Sequence, residues 1–275
     1  MTHEPRAAVL GHPISHSLSP KLHGYWLNRY GLAGSYSAID VPDGALEEML
    51  RDLPRQGFVG ANVTLPHKVS VMKFADQISD RAILIGAANT LIFKEDGKIF
   101  ADNTDGYGFI SNLRQGAPQW QPTAGPAVML GAGGAARAVI VALADAGVTE
   151  ILLANRTRAK AEALRDEFGS RLRVVDWVHV ESIMGEAATI VNTTSLGMKG
   201  GPPFKLTLSD VRPEAVVTDI VYNPLITPFL AAAQARGCQT VDGLGMLLHQ
   251  GVPGFERWFG VRPEVDADTR AAVLA

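Results

Sequence analysis

Cysteine is all but missing, since Cys238 is the only one in 275 residues. That excludes an intrachain disulfide framework and a Cys-x-x-Cys metal site, and it leads us to expect a reducing compartment, the cytoplasm. An excess of charge is missing as well: 25 Lys and Arg stand against 28 Asp and Glu, a net charge of −3. Such a chain has no broad positive field for nucleic acid or anionic lipid, so neither partner is expected and any anion has to be bound locally. The N-terminal stretch offers Arg6 and the run from Ala7 to Gly11 before His12 and Pro13, far short of a signal-peptide core or a membrane span. Internal repeats, low-complexity tracts and long blocks of like charge are absent. So are GxxxxGK[ST], GxSxG and HExxH, which sets aside P-loop ATPases, serine hydrolases and zinc proteases. His12 and His16 are four apart, but Pro13 and Pro20 oppose the helix that would align them, and no metal is expected.

What remains is an ordinary globular composition, 47% hydrophobic and 19% charged, long enough for about two domains. Up to residue 106 short apolar runs alternate with helical patterns. Ser19 and Pro20 read as an N-cap and first turn of a helix reaching about Tyr30. Phe58 to Thr64 reads as a strand closed by Pro66, and Asp96–Gly97 predicts a tight hairpin with positive φ at both turn positions. This half therefore mixes parallel and antiparallel pairing. Gln115 to Pro126, with three prolines and two glycines, reads as a surface connection. Beyond it a regular strand and helix alternation predicts a doubly wound parallel sheet, with strands at 127–130, 150–154, 173–176, 189–192, 216–222 and 238–241. Leu244 to Phe259 and Arg262 to Leu274 read as helices returning to the first domain, with a break at Pro253. The expected fold is α/β with two domains, one at 1–108 plus 244–275 and a Rossmann-type one at 109–243.

The strongest local signal is the run from Val128 to Arg137, an apolar strand, a glycine-rich turn and an apolar-faced helix that fit G-x-G-x-x-G/A. Gly131 permits the tight turn, Gly133 lets the backbone approach a pyrophosphate, and Ala136 allows close helix–strand packing. At the end of the next strand, where an NAD enzyme usually carries an acid for the ribose hydroxyl, stand Asn155, Arg156 and Thr157, with Lys160 one turn on. A planar guanidinium suits a 2′-phosphate, so NADP is expected over NAD. Ser15 and Ser17 point the same way if their segment is extended and would suit one carboxylate, although serines before a helix also make caps and turns. Asn62 and Thr64 on one strand face, Lys68 after Pro66, Asn89, and the run Asp102 to Gly106 put polar groups at strand ends. They suit a polyol substrate, and they equally suit turn chemistry.

Taken together, Gly11 to Pro20, Asn62–Val63–Thr64 with Lys68, Gly86 to Thr90, Asn103 to Gly106, the Gly131 turn, Asn155–Arg156–Thr157, Asn192 to Gly197 and Gly243 to Gln250 resemble the shikimate dehydrogenase family, in order along the whole chain. The resemblance implies NADPH-dependent, reversible reduction of 3-dehydroshikimate to shikimate in aromatic amino-acid biosynthesis, with the substrate in a cleft between two domains. It implies Lys68 and Asp105 as the catalytic pair. It implies Ser15, Ser17, Asn62, Thr64, Asn89, Tyr222 and Gln250 on the substrate side. On the coenzyme side it implies Asp80, Gly131, Ala132, Gly133, Gly134, Ala135, Asn155, Arg156, Thr157, Lys160, Thr193, Ser195, Ile220 and Gly243. A homodimer is compatible with it. Gly251 to Gly254 departs from the pattern and predicts a kink that would shift Gln250. The nearest rivals are a quinate/shikimate dehydrogenase that uses NAD as well, and a non-catalytic NADP-binding sensor. The chemistry supports the pair independently: hydride delivery to a carbonyl leaves an alkoxide that needs a proton, a lysine ammonium supplies one, and an aspartate orients the ammonium.

Overall fold

A computed structural model describes residues 4–275. The chain divides into two compact units, the first ending at Gly108 and taking in Leu247–Ala275, the second Phe109–Met246. Residues 1–3 of the expected first domain lie outside the described residues.

The first unit is built on a six-stranded mixed sheet. Its strands are β1 (Arg6–Gly11), β2 (Ser35–Asp40), β3 (Phe58–Val63), β4 (Gln77–Ile78), β5 (Thr90–Phe93) and β6 (Ile99–Asp102), in the order β2-β1-β3-β5-β6-β4. β1 pairs in parallel with β2 and β3, whereas β5 is antiparallel to β3 and β6. One face covers a core of Leu10, Val41, Leu46, Leu50, Leu53, Val63, Val71 and Leu91. Helices α1 (Ser19–Arg29), α2 (Leu46–Asp52) and α3 (Asp80–Ile85) flank the sheet strands in sequence, and α4 (Asp105–Gly116) carries the chain out of the unit.

The second unit holds β7 (Ala127–Leu130), α5 (Gly134–Ala146), β8 (Ile151–Ala154), α6 (Arg158–Phe168), β9 (Leu172–Val175), α7 (Val180–Met184), β10 (Thr189–Asn192), β11 (Val216–Asp219), α8 (Pro228–Ala235) and β12 (Gln239–Val241). All its strand pairs are parallel, in the order β12-β11-β10-β7-β8-β9. This is the doubly wound Rossmann-type order, whose direction reverses between β7 and β10. The four central strands β11, β10, β7 and β8 are buried on both faces, as parallel sheets require, while the edge strands β9 and β12 are partly exposed. Met129, Leu153 and Val191 pack into one core, and Val128, Leu130, Leu152, Ile190 and Val217 into the other. The chain returns to the first unit within α9 (Leu244–Phe259) and ends in α10 (Ala267–Leu274).

Several local expectations are corrected. Ser19 is the first helical residue and caps nothing; Ser17 Oγ accepts the Ser19 N–H instead, at 3.3 Å. The Asp96–Gly97 hairpin has positive φ at Gly97 alone, because the Gly97 N–H bonds the Lys94 carbonyl and leaves a three-residue loop. The 115–126 connection is not wholly at the surface: α4 extends into it to Gly116, and Ala117 and Trp120 are buried, Trp120 Nε1 donating to Thr189 Oγ1 at 2.9 Å. Arg262 is not helical, since the last helix starts only after the Asp266 cap. Most telling, α9 runs unbroken through Pro253. Its glycines explain this: a Cβ on Gly251 would lie 3.2–3.3 Å from Leu22, His23 and Trp26, so close packing against α1 holds the segment helical.

That packing encloses His23, which stacks on Tyr36 at 3.9 Å with rings 3° from parallel and has no hydrogen-bond partner at either nitrogen. Burial drives its imidazole down to about 3 from the ordinary 6.5. Below pH 6.5 the unfolded chain takes up a proton that the folded chain refuses, so stability falls as pH drops from there towards 3, by roughly 1.4 kcal/mol per unit. Replacing His23 by Phe keeps the stack and removes this slope. In urea unfolding, going from pH 7 to pH 5 should cost the unaltered protein about 2 kcal/mol more than His23→Phe.

Candidate active site

In the first unit four sequence-distant segments meet. β3 ends at Val63 and delivers Thr64, Pro66 and Lys68; β5 starts just after Asn89; β6 ends at Asp102 and leads to Asp105 at the start of α4; α9 brings Gln250. Lys68 Nζ donates to Asp105 Oδ2 at 2.6 Å, and both side chains are largely buried. Asn89 Nδ2 donates to the other carboxylate oxygen at 2.9 Å and to Gln250 Oε1 at 3.1 Å. Asn89 Oδ1 accepts from the Thr104 N–H at 2.8 Å and from Thr90 Oγ1 at 3.0 Å. Asn103 Oδ1 accepts the Asp105 N–H at 3.0 Å, which sets the first residue of α4. Despite Pro253, Gln250 is held in place, buried and met by Thr104 Oγ1 on its carbonyl at 2.8 Å.

These bonds sort the predicted residues by what they have left to offer. Asn62 gives its Nδ2 to the Asn89 carbonyl and Thr90 Oγ1, while its Oδ1 accepts from Tyr36 at 2.7 Å. Asn62 and Asn89 are thus engaged within the protein. Lys68 keeps two N–H groups beyond the one given to Asp105, Gln250 Nε2 keeps one beyond that given to Leu247, and Thr64 Oγ1 hydrogen-bonds to nothing described. Ser15 and Ser17 do not lie on an extended segment: the Ser17 N–H bonds the Ile14 carbonyl at 3.0 Å in a turn. Ser15 is exposed there, and Ser17 keeps its own proton to donate.

In the second unit Gly131 sits at φ 106°, between Thr193 and Thr194, where a Cβ would meet Thr193 Oγ1 at 2.7 Å. Gly131 is therefore demanded by the fold. Gly133 and Gly134 are not, for neither has positive φ and a Cβ on either would meet nothing within 4 Å. No side chain caps α5, whose first N–H groups start at Gly134 and Ala135. Backbone donors beside glycines that their own surroundings do not require fit a pyrophosphate. Ala132 is less available, because its N–H bonds Asn155 Oδ1 at 3.2 Å, and Asn155 Nδ2 holds the Thr157 carbonyl at 2.8 Å. Asn155 is thus a strut between two turns. Arg158 is tied to Glu162 and Asp176, whereas Arg156 and Lys160 are exposed and pair with nothing described.

Thr193 points into the turn, its Oγ1 bonded to the Leu130 carbonyl at 2.7 Å, and Ser195 is exposed on the loop after β10. Ile220 and Tyr222 follow β11, burial raising the Tyr222 phenol above its ordinary range. Gly243 is required by the Ile220 backbone, which a Cβ would meet at 2.4 Å. Asp80 opens α3 in the first unit, exposed at the helix N-terminus. Sequence reasoning missed Tyr36 and Asp219; Tyr36 carried no signal, while Asp219 stands directly before Ile220, a residue the resemblance implies.

Comparison with known proteins agrees with this geometry. Residues 9–91 match the shikimate dehydrogenase substrate binding domain, 121–198 the shikimate / quinate 5-dehydrogenase family and 243–273 the shikimate 5′-dehydrogenase C-terminal domain. A shikimate dehydrogenase (NADP(+)) of Cereibacter sphaeroides is 65% identical over 98% of this chain and 97% of its own. The chain belongs to the shikimate dehydrogenase family. Among solved structures, the Thermus thermophilus shikimate 5-dehydrogenase in complex with NADP(H) and shikimate is 40% identical with a TM-score of 0.87, covering 98% of both chains. The family is broader in substrate: a quinate dehydrogenase from Corynebacterium glutamicum in complex with NAD is 31% identical with a TM-score of 0.91, over 98% of this chain and 99% of its own.

The two unconstrained glycines allow a direct test. Gly133→Ala and Gly134→Ala should leave thermal stability within about 1 kcal/mol of the unaltered protein, Gly134→Ala being favoured as a helical residue. Each should weaken NADPH binding at least tenfold in a fluorescence titration, because the added methyl occupies the approach to the backbone donors.

Proposed function

We propose that this protein is an NADP-dependent shikimate dehydrogenase, reducing 3-dehydroshikimate to shikimate in the chorismate pathway. The observation that carries the reading is the buried Lys68–Asp105 pair, locked by Asn89 and leaving two lysine N–H groups free. Full-length relatives named as NADP(+) enzymes support the coenzyme and the reaction. NADPH, when bound, supplies the hydride.

The chain's own residues do the rest. As the substrate carbonyl becomes a hydroxyl its oxygen needs a proton, and Lys68 Nζ is the donor in this site. Asp105 orients the ammonium and has lone pairs left to accept from a ring hydroxyl. Thr64 and Gln250 offer the remaining polar contacts. Ser15 and Ser17 take the carboxylate by hydroxyl donation, and Tyr222 is a further substrate ligand. Residues 1–108 and 244–275 form the substrate domain in this reading, 109–243 the coenzyme domain.

On the coenzyme side the N–H groups of Gly133, Gly134 and Ala135 hold the pyrophosphate, aided by the α5 dipole. Arg156, Thr157 and Lys160 take the 2′-phosphate, with Asn155 holding that turn to Ala132. Arg156 lies beside no carboxylate, so a phosphate there meets no repulsion, and this favours NADP over the NAD of the quinate enzymes. Asp80, Thr193, Ser195, Ile220 and Gly243 complete the coenzyme contacts. No described helix is long and apolar enough to cross a membrane. The protein works in the cytoplasm, where burial keeps the Cys238 thiol protonated and inert. A homodimer is compatible with this reading, and sedimentation velocity reads that state directly.

Absorbance of reduced nicotinamide should appear with shikimate and NADP, and far more slowly with quinate or with NAD. Comparable rates with quinate would move the chain to the broader dehydrogenases, and NADP binding without any turnover would make it a sensor. Lys68→Ala should lower kcat by about 10²–10⁴-fold with a smaller change in shikimate KM. Arg156→Ala should raise the NADP KM about tenfold to a hundredfold and leave NAD kinetics unchanged.

A further inference from the structure

Asp219 has no part in the roles described above, yet it closes β11 with only 1% of its surface exposed. Three neutral donors converge on it. Oδ1 accepts from Asn192 Nδ2 at 3.0 Å and from the Val221 N–H at 2.9 Å, and Oδ2 accepts from Thr227 Oγ1 at 2.7 Å. The elements that contribute them, β10, the segment after β11 and the N-cap of α8, bring no ionisable side chain into hydrogen-bond or ion-pair contact with it among the described residues.

Each donor holds a piece of the site. Asn192 Oδ1 accepts the Thr194 N–H at 3.0 Å and Thr194 Oγ1 at 2.6 Å, and Thr194 Oγ1 accepts the Leu196 N–H at 3.0 Å. The loop carrying Thr193 and Ser195 thereby hangs on Asn192. Val221 lies between Ile220 and Tyr222. Thr227 Oγ1 accepts the Leu230 N–H at 3.3 Å as the α8 cap, so its proton is committed to Asp219.

We propose that Asp219 is a positioning residue, its ionised carboxylate fixing both the Ile220–Tyr222 segment and the Asn192–Gly197 loop in the geometry that receives coenzyme and substrate. The assignment rests on the proposed function for what those residues bind. The three donors present are met best by a group that accepts on both oxygens, because a proton on Oδ2, or the amide of an asparagine, turns Thr227 Oγ1 into an acceptor and leaves its buried hydroxyl proton without this partner. The cost is visible, burial pushing this carboxyl up to about 6.

Asp219→Asn therefore imitates the protonated form at every pH. At pH 7.5 it should weaken NADPH binding in a fluorescence titration and raise the shikimate KM, each about fivefold, with kcat within twofold. Between pH 7.5 and 5 the unaltered protein should lose affinity until it converges on the variant. The 2′-phosphate titrates near 6 in both proteins and cancels in the comparison. Thr227→Val, which removes one donor, should shift both affinities in the same direction and keeps the test open if Asp219→Asn fails to fold. Wild-type affinities in Asp219→Asn at pH 7.5, or an unchanged acid limb, would overturn the proposal. A protein that turned over no shikimate would refute the functional reading alone, since the NADPH titration still decides the part of Asp219.

Discussion

The side-chain amide of Asn89 is what the first unit's site depends on. Its oxygen gathers Thr90 and Thr104, and its nitrogen reaches Asp105 and Gln250, so three chain segments share one buried group. An amide can do this where a carboxylate or an ammonium cannot, because it donates and accepts in fixed directions. The orientation is not free either, since the donors on one side and acceptors on the other permit only one of its two flips. Each bond contributes about 1 kcal/mol net, but leaving one partner buried and unpaired costs about 1–3 kcal/mol. Asp105 is consequently placed before any ligand arrives, and Lys68 with it. The ion pair itself is a poor source of stability, since desolvation offsets much of the attraction. In the proposed function its worth lies in a preorganised proton donor that needs no rearrangement as charge develops on the substrate.

The second unit follows a different logic. Its first sheet strand ends in a turn to which the proposed function assigns binding by main-chain groups, and side chains mainly keep that turn in shape. Thr193 crosses from β10 to bond the Leu130 carbonyl under the turn, at the point where the strand order reverses. Asn155 crosses from β8 to hold Ala132. Glycine is imposed at 131 by this crowding and is left unexplained by it at 133 and 134, the two positions that the proposed function gives to the pyrophosphate. With the protein carrying a net −3, the attraction for an anion has to be local: the α5 N-terminus, Arg156 and Lys160 supply it, while Arg158 is neutralised by Glu162 and Asp176.

How much of this was legible depended on how local each cause is. The glycine turn, the parallel sheet and the basic residues after β8 could be read because strand, turn and charge lie within a few residues of one another. Polar residues at the ends of β3, β5 and β6 were also visible as a group, but their division of labour was not. Asn62 looks like a ligand in sequence and is fully engaged by Tyr36, Thr90 and the Asn89 carbonyl in three dimensions. Pro253 misled for the complementary reason: local propensity predicts a break, and the contact of Gly251 with α1 overrides it. Ser15 and Ser17 reached a ligand reading through an extended geometry that the turn at Ile14 replaces.

Asp219 shows where motif reading stops. It stands directly before Ile220, which the family resemblance implies, yet its importance comes from Asn192 and Thr227, 27 and 8 residues away. A buried carboxylate facing only neutral donors is an expensive way to fasten two loops, and a hydrophobic contact would do so more cheaply if position alone mattered. What the carboxylate adds is direction: three donors from three elements can be satisfied at once only by a group with acceptors on both oxygens. Asn89 and Asp219 thus solve the same problem on different units, each using one buried polar side chain to fix the chain segments around it, and the choice between amide and carboxylate follows from the balance of donors and acceptors presented to it.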